Sequence, residues 1–166
     1  LTLDGSANVI TAHTHISYID HKRAYFGTGY DLEIYHNASN SIISHLGTGD
    51  LYIQNTQDDQ DIIFQCDDGS GGVETYFFLD GSAGRTTFPD NKILGIGTGT
   101  DMYFIHDGSN NSIIAQNGNL TIQNSADDAD IIFQCDDGSG GVTAYLTLDG
   151  SNTRIDISKF MRFADG

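Results

Sequence analysis

The chain has 166 residues, a formal net charge of −16, one proline and no tryptophan. So acidic a surface repels nucleic-acid phosphates and anionic membranes, so neither is expected as a partner. No apolar run approaches the roughly 20 residues that a membrane-spanning helix needs. Helix formers are scarce, while Ile, Leu, Phe and Tyr recur at regular intervals among Gly, Asp, Ser, Thr and Asn; that is a strand-and-turn composition, not a disordered one.

In chain order, Leu3-Asp4-Gly5-Ser6 comes first, and His13-Thr14-His15 follows. The turn Gly27-Thr28-Gly29 leads into Asp31-Leu32-Glu33-Ile34-Tyr35, where Leu32 and Ile34 share one face of a predicted strand. Asn37-Ala38-Ser39-Asn40 is the next turn, and Ile42-Ile43 the next apolar pair. Beyond Gly47-Thr48-Gly49, the alternation in Asp50-Leu51-Tyr52-Ile53-Gln54 predicts another strand, with Leu51 and Ile53 on one side. Ile62-Ile63-Phe64-Gln65-Cys66 ends in the turn Asp67-Asp68-Gly69-Ser70-Gly71-Gly72. Val73, Thr75, Phe77 and Leu79 then line one face of a longer strand that closes on Asp80-Gly81-Ser82.

The chain then repeats itself. The run from Ile62 to Val73 returns as Ile131 to Val142, 69 residues on, and Gly27-Thr28-Gly29 and His36 return as Gly97-Thr98-Gly99 and His106, 70 residues on. Leu79-Asp80-Gly81-Ser82 and Leu148-Asp149-Gly150-Ser151 repeat the Leu3–Ser6 signature. The change of offset falls in a turn, where Leu46-Gly47-Thr48-Gly49-Asp50 becomes the shorter Gln116-Asn117-Gly118-Asn119. A fixed period means one supersecondary unit stacked on itself. Residues 1–20 read as the end of a preceding repeat, 21–90 as repeat A, 91–159 as repeat B and 160–166 as the start of another. The chain therefore reads as a window cut from a longer array.

The expected fold is all-β: a repetitive elongated β-fibre of about 70-residue repeats, either a β-solenoid or an intertwined trimeric β-prism. Adjacent apolar pairs (Ile42-Ile43, Ile62-Ile63, Phe77-Phe78) put apolar side chains on both faces of a strand. A second layer is then needed, from the same chain or from identical chains wound alongside; three chains about one axis would supply it and close the sheet edges. The sequence thus predicts a homo-oligomer, a homotrimer by this argument.

The string Gly29-Tyr30-Asp31-Leu32-Glu33-Ile34-Tyr35-His36-Asn37-Ala38-Ser39-Asn40-Ser41-Ile42-Ile43 resembles a motif repeated in tail-fibre and other virion structural proteins of marine tailed bacteriophages, of the cyanophage and pelagiphage kind. Those proteins carry Gly-Thr-Gly-x-Asp-Leu-x-Ile-Tyr-His-x-Gly-Ser-Asn-Ser followed by Gly-Thr-Gly-x-Leu-x-Ile-Gln. Repeat B departs from it with Met102-Tyr103-Phe104-Ile105-His106. The resemblance spans nearly the whole chain. It implies an extracellular virion location, other virion proteins as partners, and a shaft that positions a host-attachment tip, with a host-surface glycan as a further partner. It transfers no catalytic residue. The alternatives are a glycan-binding or glycan-depolymerising tailspike region and a non-viral extracellular adhesin filament.

The candidate chemistry is thin. His13 and His15, if in a strand, share a face, and three copies on an axis would present six nitrogens to a transition metal; two exposed histidines are the plainer reading. No cofactor is otherwise expected. The recurring Asp58-Asp59-Gln60-Asp61 and Asp67-Asp68-Gly69 clusters lack a calcium-loop pattern and read as turn formers. Cys66 and Cys135 lie one repeat apart, beyond the ~7 Å Cα separation of a disulfide, and are expected as small buried hydrophobes in strands. Recurrence of His36 and His106 points to a hydrogen bond across a turn. Glu33 and Glu74 sit at outward strand positions, unrepeated, and read as solvated surface. Tyr30, Tyr35, Tyr52 and Tyr76 are candidate glycan-stacking faces, for which packing is the simpler role. Asn37-Ala38-Ser39 and Asn119-Leu120-Thr121 match the glycosylation sequon, which counts only in a secretory context. The sequence gives no enzyme constellation, so the chain is expected not to be an enzyme.

Overall fold

The computed structural model describes residues 2–4 and 9–163. Gly5 and Ser6 of the first repeat-end signature, and residues 164–166, lie outside the described residues. The described chain is all-β, with no helix, and so with none long and apolar enough to cross a membrane.

Two short strands, β1 (Thr2–Asp4) and β2 (Val9–Thr11), pair antiparallel. Repeat A then contributes β3 (Arg23–Phe26), β4 (Leu32–His36) and β5 (Ser41–His45) as one sheet, and β6 (Ile62–Asp67), β7 (Val73–Asp80) and β8 (Arg85–Thr87) as a second. Repeat B does the same with β9 (Leu94–Ile96), β10 (Met102–His106) and β11 (Asn111–Ala115), then β12 (Ile131–Asp136), β13 (Val142–Asp149) and β14 (Arg154–Ile157). The four three-stranded sheets are antiparallel meanders with the middle strand between its two sequence neighbours. Tight turns of Gly, Asn and Asp make this possible, because antiparallel neighbours need only a short connection.

The chain forms two compact units whose borders differ from those of the repeats. One comprises Leu1–Ile62 with Leu79–Arg85, the other Ile63–Phe78 with Thr86–Gly166.

Register fixes the faces. In the β3–β5 sheet, Ala24 opposes Ile34 and Ile34 opposes Ile43, while Phe26 opposes Leu32 and Leu32 opposes His45. These six share one face, because directly opposed residues point the same way. Arg23, Tyr25, Glu33 and Tyr35 take the other. In the β9–β11 sheet the matching face is Leu94, Ile96, Met102, Phe104, Ile113 and Ala115. In the β12–β14 sheet, Ile131, Phe133, Leu146, Leu148, Ile155 and Ile157 form a wholly apolar face. A register shift after Phe133 leaves Tyr145 as the extra residue of a β-bulge.

Two expectations are corrected here. The segment from Leu51 to Gln54 belongs to no strand and no sheet, and neither does its counterpart from Leu120 to Gln123. Alternation reports which side chains seek cover; it does not supply a backbone partner. The apolar faces are also not buried within the chain: among the described residues no hydrophobic side chain is buried, and the one buried residue is Glu33.

Candidate functional site

The turns are self-sufficient. Asp68 Oδ1 accepts hydrogen bonds from the Ser70 amide (2.7 Å), the Ser70 hydroxyl (2.8 Å) and the Gly72 amide (3.0 Å). Asp137 does the same with Ser139 and Gly141. These donors hold both carboxyls below the ordinary carboxylate range. Asp149 is lowered to about 2, first by the Asn152 side chain, then by the Asn152 amide and the Ser151 hydroxyl. Asp61 Oδ1 accepts from the Gly81 amide, and Asp130 Oδ1 from the Gly150 amide, both at 3.0 Å. These aspartates therefore spend their oxygens on nearby backbone amides and hydroxyls, as turn formers do. Among the described residues, no three metal-ligating side chains form a group.

The histidines divide in two. His36 Nδ1 lies 3.2 Å from Ser41 Oγ, and His106 Nδ1 lies 3.1 Å from Asn111 Oδ1. Each ties a strand end across the turn that follows it. His13 and His15 are exposed, and a bend at His13 and Thr14 takes them out of any strand. The same-face argument for a metal pair therefore does not apply to them.

Two other assignments change. Cys66 and Cys135 are free and exposed, not buried. Glu33 is only 8 % exposed; it is not solvated surface. Its Oε2 lies 2.8 Å from Arg23 Nε, off the donor direction, and the Arg23 guanidinium stands 4.2 Å over the Tyr35 ring. Glu74 pairs with Lys92 at 2.6 Å, and Lys92 sits 5.2 Å from the Tyr76 ring centre. The sequence did offer a signal for these contacts: opposite charges one strand apart at 23 and 33, and lysines at 22 and 92 in matching repeat positions. Cations thus already occupy Tyr35 and Tyr76, Tyr30 packs on Tyr25 with centroids 4.5 Å apart while staying exposed, and Tyr52 is the most open of the four, 76 % exposed. Asn37 of the first sequon turns its Oδ1 to the Ser39 and Asn40 amides.

What the molecule does offer is apolar sheet surface. Ile34, Ile43 and Phe26 are exposed in repeat A; Leu94, Ile96, Phe104 and Ile113 are exposed in repeat B, as are Phe133, Leu148, Ile155 and Ile157. Apolar side chains gathered on one exposed sheet face are the kind of surface that partners cover.

The chain matches no known protein family, no curated protein and no solved structure.

Proposed function

We propose that this chain is a structural shaft segment of a bacteriophage tail fibre or similar virion appendage, assembled as a homotrimer that spaces a host-attachment tip, with no catalytic activity of its own. The observation that carries the reading is the division of labour in each repeat. Polar turns satisfy themselves within the chain, while the apolar sheet faces stay uncovered. A repeated unit of that kind is stabilised by lateral association of copies and extended by adding repeats. The strand-like sequences at Leu51–Gln54 and Leu120–Gln123, which belong to no sheet of the chain, suit an intertwined prism, in which a neighbouring copy lends backbone partners. The acidic exterior keeps the assembled rods apart, and the resemblance to phage fibre motifs supports the virion location.

Deleting residues 80–148 tests this. The deletion joins Leu79 to Asp149, which stands where Asp80 stands at the end of its strand. The shortened chain is expected to keep its oligomeric state by sedimentation and to measure one repeat shorter by electron microscopy. A monomeric parent chain, or loss of a glycan-binding or hydrolytic activity on deletion with assembly intact, overturns the shaft reading.

A further inference from the structure

The two repeats solve one packing problem with different residues. On the exposed face of the β3–β5 sheet, one row across the strands is Ala24, Ile34 and Ile43, and the next is Phe26, Leu32 and His45. In the β9–β11 sheet the first row becomes Leu94, Phe104 and Ile113, and the second Ile96, Met102 and Ala115. The first row has grown and the second has shrunk. Each face still holds one alanine, one phenylalanine and four residues of intermediate size. None of the twelve carries a carboxylate, in a chain with 23 acidic residues.

A solvated face has no reason to hold its volume constant. A packed face does: cores tolerate exchanges that conserve total volume and penalise those that do not. Yet these faces are not packed within the chain, since Ile43 is 61 % and Ile113 57 % exposed. The repeat B face also opens into a groove of about 420 Å³ between Phe88 and the Leu94, Phe104 and Ile113 side chains.

We infer that the volume-matched face shared by the two sheets is the inner core of the assembly, filled by the same face of further copies of this chain, repeat A against repeat A and repeat B against repeat B. This rests on the homo-oligomer reading above and adds the surface and the register. Like-with-like pairing follows from the rows. Around a common axis, the large row of one copy meets the large row of the next at the same level, so each level needs its own consistent filling. A stagger of one repeat would set the larger row Phe26, Leu32 and His45 at a level with the smaller row Ile96, Met102 and Ala115, so that one level would mix two different fillings.

The test uses the full chain. Sedimentation and native mass measurement first establish the oligomeric state of the parent. Phe26→Ile and Ala24→Leu are then made singly, and A24L/F26I/L32M/I34F/H45A writes the whole repeat B face into repeat A. Each single change is expected to weaken assembly on the order of tenfold per chain, one by leaving a void and the other by overpacking. The five-fold graft is expected to restore the parent's dissociation and melting temperature, far from the sum of its parts. If a single variant fails to fold while the graft folds and assembles, the inference is equally supported. Neutral, additive substitutions in a chain that still assembles would overturn the face assignment and leave the homo-oligomer reading standing. A graft that does not assemble also overturns the assignment. A parent that is monomeric at every concentration overturns both.

Discussion

Repeats A and B differ most on the sheet face that carries Glu33. In A, Arg23, Glu33 and Tyr35 form an ion pair capped on an aromatic ring. Seventy residues on, the same three positions hold Ile93, Tyr103 and Ile105. One fold position thus accepts either a buried charged cluster or an apolar one. The opposite face accepts only apolar residues at five of its six positions, His45 excepted. The Glu33-bearing face has two chemical solutions, because either can be satisfied locally. In the assembly proposed above, the opposite, outer face has one, because a charge there would be trapped between copies without a partner.

The largest effect is expected at a joint where the two repeats share the same backbone contact. A Cβ at Gly81 would run into the Gln60 carbonyl oxygen, and a Cβ at Gly150 into the Ala129 carbonyl oxygen. Backbone cannot step aside as a side chain can. Gly81→Ala and Gly150→Ala should each destabilise by about 1–3 kcal/mol, the usual cost of overpacking. They should also break the Asp61 or Asp130 hydrogen bond to the displaced amide. Denaturant melts of the two variants should coincide. A clear difference between them would show that the repeats are not equivalent at this joint.

The Arg23, Glu33 and Tyr35 cluster is expected to give the next largest effect. Glu33→Ala leaves the Arg23 guanidinium half-covered beside Tyr35 with no counter-charge, and the melting temperature should fall by several degrees. The triple change R23I/E33Y/Y35I, which copies repeat B, should recover the parent melting temperature or exceed it. If the triple variant is worse than Glu33→Ala, the two solutions are not interchangeable and the surroundings of each sheet have diverged.

Much of this architecture was legible in the sequence, and its gaps have physical causes. Strands β4 and β7 follow from alternation, and the turns follow from Asp, Asn and Gly at positions that then proved to hold carboxylate-to-amide bonds. Alternation gives parity only. It places Glu33 opposite Leu32 and Ile34, correctly, but cannot say which side of the sheet is covered. Arg23 decides that by closing over Glu33 from the adjacent strand, a contact set by register. Parity also misled at Leu51–Gln54, where the pattern is that of a strand and the partner strand is absent from the chain's own sheets. The candidate site was less legible still. His13 and His15 were singled out as a pair on one face, but a bend separates them from any strand. The constant volume of the outer face becomes visible only once register assigns Ala24, Phe26 and Ile34 to it.

The smallest effect expected is also the cleanest contrast between the repeats. The turn after β4 places Ala38 at φ 72°, and the turn after β10 places Gly108 at φ 91°. The backbone task is the same: a left-handed residue that lets the next strand return. An alanine there sets its Cβ against the following carbonyl, at about 1–2 kcal/mol. A glycine avoids that cost but gives the unfolded chain more freedom, which takes back about 0.4–1 kcal/mol. Space does not enter, because a Cβ at Gly108 would meet only Asp90 Oδ2, at 3.7 Å. Ala38→Gly should therefore stabilise repeat A by about 0.5–1 kcal/mol, and Gly108→Ala should destabilise repeat B by the same amount. The double variant, with the two residues exchanged, should return to the parent's stability, since the sites lie in separate turns and their effects should add. Equal signs for the two single changes, read from chemical denaturation, would mean that something other than backbone conformation sets the residue at this position.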